Sequence, residues 1–317
     1  MKRLSICVVN WLVCGIAGLL YCGTVAAAQF PIRPIRLIIP FPPGGNTDIL
    51  ARILGQKVTE HWNQQVVIDN RPGAAGLLGA DIVAKGSGDG YTLLMTALGG
   101  ITVENLKFFA PLMLVATAPS VLVVHPSVKA NSIKELLDLA RANPGKLNFG
   151  SSGPGSQSHL GPELLKSMAK VDFTHIPYKG AGQSIADLLG GQVQFLMSPY
   201  GALSSHIKAG KLRALAVTSV TRASSTPDLP TVAESGVPGY EASGWFGMLA
   251  PARVGKDILT QLNAEFNRAL VLPDARERLS VLAMESGGGS PEEFARFIKA
   301  DTVKWARIIK EAGITMQ

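Results

Sequence analysis

The chain alternates short apolar runs with longer stretches in which apolar positions recur every three or four residues. The short runs predict strands at Ile35–Ile39, Val66–Ile68, Tyr91–Met95, Val121–Val124, Leu147–Phe149, Phe173–Ile176, Val193–Met197, Leu212–Val217 and Trp245–Leu249. Several are continuous in Val, Ile and Leu, as expected for strands covered on both faces of a largely parallel sheet. The longer stretches predict helices. Asp48–His61 carries Ile49, Ile53 and Val58 near helical spacing. Ser132 with Glu135 forms a capping box that opens a helix running to Arg141. Ser290 with Glu293 forms a second, with Pro291 at the favoured first position and Phe294, Ile298, Trp305 and Ile309 along one face. Strands alternating with helices predict α/β architecture. Segments near 125–130 and 238–244 are the expected crossings between two lobes.

The first residues read differently. Met1-Lys2-Arg3 is a basic start, Leu4 to Leu20 is apolar and uncharged, and Ala26-Ala27-Ala28 offers a small-residue cleavage site. This predicts a signal peptide over residues 1–28, cut after Ala28, and hence a periplasmic protein. The run is long enough that an uncut membrane anchor is the alternative. Cys7, Cys14 and Cys22 all lie in this segment. A mature chain therefore has no disulfide, thiolate metal site or cysteine nucleophile. The formal charge is +7, or +5 without Lys2 and Arg3, a mild excess that steers anions and gives no argument for nucleic acid. The five histidines are scattered with no metal-ligand spacing, so neither metal nor cofactor is expected.

Two segments carry binding chemistry. In Ile35 to Asp48 a strand ends at Pro40, Gly44 and Gly45 follow, and a helix opens with Asn46 or Thr47 as its cap. The unpaired N–H groups of a helix start attract a carboxylate or phosphate. A plain capped turn is the competing reading. In Phe149 to His159 a second strand runs through Ser151, Ser152, Gly153, Gly155, Ser156 and Ser158 into another helix, and a flexible loop is the competing reading there. Gly73, Gly76 and Gly79 make a G-x-x-G-x-x-G run. It departs from the dinucleotide fingerprint and reads as a turn with a tightly packed helix start. Ser167 to Lys170 fits S-x-x-K without its partner motifs, and there is no G-x-S-x-G.

Several stretches together resemble the substrate-binding proteins of tripartite tricarboxylate transporters, the Bug family. They are Arg33–Asp48, Asp69–Ala74, Asp89–Leu94, Val121–Pro126, Ser151–His159, Ile176–Gly180, Lys211–Thr218 and Pro230–Gly236. The resemblance implies a two-lobed periplasmic-binding fold, type II-like, with mostly parallel sheets flanked by helices. It implies one discontinuous lobe over 29–127 and 242–317 and a second over 128–241. It also implies a site built from backbone N–H groups, hydroxyls and waters, taking small carboxylates or related molecules. The expected site comprises Gly44, Gly45, Asn46, Thr47 and Asp48 on one lobe, with Asp48 holding the loop. Ser151, Gly153, Gly155, Ser156, Ser158 and His159 stand on the other, with Ser198 on a neighbouring strand. The expected partners are a small carboxylate and membrane transporter subunits, and the expected state is a monomer without enzymatic activity. A sensor partner is the alternative within binding, and a secreted serine hydrolase using Ser156 and His159 is the alternative outside it. Two departures from the family stand out. The segment from Thr96 to Ala110 is shorter than usual, which raises a non-binding relative as a third reading. Met197-Ser198-Pro199-Tyr200 lacks an acidic residue often found there, which leans towards a simple carboxylate.

Overall fold

A computed structural model describes residues 30–97 and 100–314. The expected signal segment and its cysteines lie outside the described residues. Beyond Arg33 the chain forms two lobes, each with its own sheet.

The first sheet has strand order β11-β4-β10-β3-β1-β2. It is built from β1 (Ile35–Ile39), β2 (Val66–Asn70), β3 (Thr92–Ala97), β4 (Phe109–Ala118), β10 (Gly244–Pro251) and β11 (Glu285–Gly288). The second has order β7-β6-β8-β5-β9, from β5 (Ser120–Val124), β6 (Asn148–Ser151), β7 (Thr174–Pro177), β8 (Phe195–Pro199) and β9 (Arg213–Val217). Helices α1 (Asn46–Trp62), α2 (Leu77–Ala84), α7 (Lys256–Leu270) and α8 (Pro273–Val281) belong with the first sheet. Helices α3 (Ile133–Ala142), α4 (Gln157–Ala169), α5 (Ala181–Leu189) and α6 (Tyr200–Lys208) belong with the second. All nine expected strands are present, and two more, β4 and β11, complete the first sheet.

The strand directions decide where a ligand can sit. β1, β2 and β3 are parallel, β10 runs against β3, and β4 runs against β10. β4 therefore points the same way as β1–β3, and its last residue, Ala118, lies on the edge where their C-terminal loops emerge. A single residue, Pro119, then leads into β5. β5 opens with Ser120 paired to Pro199, the last residue of β8, and β6 and β7 run parallel to β8. The C-terminal ends of both parallel sets thus open onto one boundary between the lobes, the edge at which α/β sheets bind ligands.

The outgoing crossing lies at Ala118–Ser120, not near 125–130, because the apolar run Val121–Val124 pairs within the second sheet. Residues 120–127, expected in the first lobe, thereby join the second. The return enters β10 at Gly244, opposite Ala118. Buried Thr218 stitches the two crossings: its N–H donates to the Ser120 carbonyl, its hydroxyl accepts from the Ser120 N–H, and its carbonyl accepts from the Ala242 N–H, each at 2.9 Å.

A third element ties the lobes. Helix α9 (Pro291–Glu311) starts from a complete Ser290–Glu293 capping box. Its first half packs Phe294 and Ile298 into the core of the first lobe, and its second half packs Trp305 and Ile308 into that of the second. Asp301 accepts from the Trp245 indole N–H at 2.7 Å, and Lys304 reaches the Glu241 carboxylate at 2.6 Å. Glu241 lies on the return crossing and Trp245 at the start of β10, so α9 is pinned where the lobes join. At the start of α3 only half of the expected box forms. Ser132 accepts from the Glu135 N–H, but the Glu135 carboxylate takes the N–H of Asn131 instead of returning to Ser132.

Candidate functional site

The first seat is the loop between β1 and α1. The expectation that Asn46 or Thr47 caps α1 is corrected: the cap is Gly45, which has no side chain to offer, and the helix begins at Asn46. The first-turn N–H groups are therefore left without a side-chain acceptor. Gly44, Gly45 and Asn46 are exposed, while Thr47 and Asp48 are buried. Asp48 holds the loop. Its carboxylate accepts from the Gly44 N–H at 3.0 Å, from Arg52 through two bonds at 3.0 Å and from Asn70 at 3.1 Å. Burial alone would raise its pKa. The bonds from Arg52, Gly44 and Asn70 outweigh burial and hold it below the usual carboxylate range. Charge on Asp48 is thus neutralised sideways by Arg52, leaving the positive end of α1 facing outward.

The glycine run beneath this loop is a packing device. A short 3-10 turn, Ala74–Gly76, leads into α2. A Cβ on Gly79 would stand 2.8 Å from Pro40 Cβ, so only glycine lets α2 press against the end of β1.

The second seat is the loop between β6 and α4, and it is bonded mainly to itself. The Ser158 hydroxyl accepts from the Ser152 N–H at 2.9 Å and lies 3.1 Å from the Ser152 and Ser156 hydroxyls. Ser156 donates to the Gly153 carbonyl at 2.7 Å. Gly153 and Gly155 adopt φ of 131° and 73°, which glycine alone reaches without strain. Gln157 donates to the Ala242 carbonyl at 2.8 Å, anchoring α4 to the return crossing.

His159 and Ser151 lie beneath the loop. His159 is buried; its Nδ1 accepts from the Gly155 N–H at 3.1 Å, and its ring stacks on His175 at 3.7 Å. Ser151 is fully buried, 2.6 Å from His175 Nε2. Ser156 and His159 thus each serve the loop backbone. Ser198 is also buried, one residue before the end of β8 and paired with Val121. The structure therefore places the expected residues on two loops at one boundary, with Thr47, Asp48, Ser151, His159 and Ser198 buried beside them and Asp48, Ser151 and His159 bonded to the loops. Sequence reasoning gave His175 no role, since nothing in its local pattern links it to Ser151. Tyr178 was also missed: its N–H donates to the Ser151 carbonyl, and its hydroxyl donates to Asp187.

Burial first, then the neighbouring His159 and Lys166, pushes His175 down to about 4, and burial lowers His159 as well. A base with a depressed pKa binds fewer protons folded than unfolded, so its stabilising effect is complete above about 6.5 and is lost as pH falls towards 4. Acidification across that window is expected to remove about 2 kcal/mol, allowing for partial exposure. Urea denaturation at pH 7 and pH 4.5 should show this loss in the wild type and a smaller loss in His175→Gln. Equal losses would contradict the assignment.

Residues 50–314 match the model of the tripartite tricarboxylate transporter family receptor. The chain belongs to that family. BugT of Bordetella pertussis is 36% identical over 304 residues, covering 92% of this chain and 93% of BugT. The structure of Rpa4515 of R. palustris with adipate is similar at 36% identity and a TM-score of 0.71, covering 90% of this chain and 99% of that one. MatC of Rhodopseudomonas palustris with bound malate is similar at 28% identity and a TM-score of 0.67, covering 88% of this chain and all of that one. As a solute-receptor family, it matches the two-lobed architecture described above. No helix among the described residues is long and apolar enough to cross a membrane.

Proposed function

We propose that this receptor works in the periplasm as a monomer, captures a small carboxylate between its lobes without transforming it, and presents the closed complex to membrane transporter subunits. The observation that carries this reading is the pair of glycine-rich loops opening onto one interlobe boundary from opposite sides. One presents the uncapped start of α1 at Gly44–Asn46, and the other presents Gly153, Gly155, Ser156 and Ser158. Adipate and malate in the related structures support a carboxylate as the ligand class.

Hinging takes place at the two crossings joined by Thr218, with Arg33 to Ala118 moving against Ser120 to Val217. Closure is driven by contacts that the ligand makes only when both loops reach it, since differential affinity alone shifts such an equilibrium. Asp48 and His159 act as positioning residues, fixing the loops before the ligand arrives and so reducing the entropy lost on binding.

A thermal-shift screen of the chain from Gln29 onward tests this reading against small carboxylates, with amines and sugars as controls. A carboxylate at 100 times its Kd should stabilise the fold by about 2.7 kcal/mol. Stabilisation by amines or sugars, with no response to any carboxylate, would overturn the reading.

A further inference from the structure

One cavity is walled by both lobes. It has a volume of about 270 Å³ and lies between the Ile101–Glu104 segment of the first lobe, the start of α4 in the second, and α9. Ile101, Val103, Leu160, Trp305, Ala306 and Ile309 give it an apolar lining. Apart from the Trp305 indole N–H, the polar groups around it are occupied elsewhere or stand at its edge. The Thr302 hydroxyl donates to the Ile298 carbonyl within its own helix at 2.8 Å. The Gly155 N–H, on the wall nearest the second seat, is taken by His159. Glu104 is exposed on the wall, with a hydrogen bond from Thr102 that favours its charged form. Trp305 forms another part of the wall. Its Nε1–H is buried and meets no acceptor in the protein, an exception to the usual pairing of buried donors.

Gly155 and Leu160, both on its wall, flank the Ser156–Ser158 part of the second seat along the chain. A cavity of about 150 Å³ accepts a benzene ring, so this one has room for a phenyl group or a short alkyl chain. We propose that it receives the apolar body of a ligand whose single carboxylate is held between the Gly44–Asn46 and Ser151–Ser158 loops, making the preferred ligand an aryl or medium-chain monocarboxylate. Two features select against a second carboxylate at the far end. The wall residues carry no cation, and the neutral Trp305 indole N–H is a weak match for a buried charge, while the Glu104 carboxylate repels it. The segment from Ile101 to Glu104 and the face Thr302–Ile309 of α9 thereby become determinants of specificity. This inference rests on the receptor reading above and adds the ligand's chemical class to it.

The test is calorimetric titration with acetate, butanoate, hexanoate, benzoate and phenylacetate, set against succinate, malate and adipate. Affinity should rise about fourfold per methylene, the equivalent of about 0.8 kcal/mol for each buried CH₂, and level off when the cavity is full. Val103→Trp, at an exposed loop position, should erase this gain and bring hexanoate and benzoate to within about threefold of acetate, less than a single methylene is worth. Ala306→Trp should do the same, and Val103→Trp keeps the test valid should Ala306→Trp fail to fold. Two outcomes would overturn the inference while leaving the receptor reading intact: dicarboxylates binding more tightly than every monocarboxylate, or chain-length dependence surviving in Val103→Trp. Failure of every acid, mono or di, to bind the wild type would instead remove the receptor reading and this inference with it.

Discussion

Asp48→Ala is expected to weaken carboxylate binding by about 100-fold or more, the equivalent of about 2.7 kcal/mol. The side chain touches no ligand in this account. It accepts bonds from Gly44, Arg52 and Asn70 at once, and those bonds fix the first seat in its receptive form. Alanine leaves the Gly44 N–H without this acceptor and the Asn70 amide with the Phe41 carbonyl alone, in a place where Asp48 was almost fully buried. Removing the acceptor of a buried donor costs about 1–3 kcal/mol, and exposed Gly44 and Arg52, the latter with a side chain 56% exposed, recover part of that by hydration. The global stability loss should therefore be about 2 kcal/mol, well short of unfolding. Asp48→Asn keeps an acceptor for Gly44 and should fall between the two. Calorimetry and urea denaturation together check this. Wild-type affinity in a folded Asp48→Ala protein would remove Asp48 from the site.

Gly247→Val should lower stability by about 3 kcal/mol or more. Gly247 lies in β10, the strand between β3 and β4. A Cβ there would overlap the ring of Phe294, which is buried and packed against Trp245 and Phe297. Relieving the overlap means moving the buried ring against these partners, and α9 with it. At about 2–4 °C per kcal/mol for a chain of this size, the melting temperature should drop by about 10 °C. Adding Phe294→Ala to Gly247→Val should return part of the loss, because the two residues compete for one volume. Simple additivity of the two substitutions would show that the clash is not the cause. Moving α9 also shifts Trp305 in the second lobe, so this variant is expected to disturb both lobes together.

The strands were legible as short apolar runs, and all nine expected segments overlap observed strands, including β2 and β7, which are only partly buried. β4 was hidden by Pro111, a residue that argues against a strand interior. The structure accommodates it at an irregularity of the β4–β10 pairing, next to the register shift between Met248 and Leu249. β11 reads Glu-Ser-Gly-Gly and pairs with β4 at the sheet edge, so it carries no hydrophobic signal. The first crossing was placed too late because a one-residue link such as Pro119 leaves no loop composition to notice. At the candidate site the glycines and serines were legible from their chemistry, whereas burial was not. Nothing in the order of residues says that His159 turns under its loop to stack on His175, or that the capping of α1 falls to Gly45. Both depend on contacts between segments distant in sequence.

The most direct measurement of the central claim is calorimetric titration of one carboxylate found by the screen into the wild type, Gly45→Trp and Ser156→Trp. A Cβ at Gly45 meets only the Pro42 carbonyl, at 3.7 Å, so the tryptophan projects into the interlobe space without straining the fold. If the ligand is held by both loops, each substitution alone should weaken binding by about 100-fold or more, about 2.7 kcal/mol, with the melting temperature of free Gly45→Trp nearly unchanged. A wild-type isotherm persisting in either variant would show that the corresponding loop does not hold the ligand, and would contradict capture between the lobes.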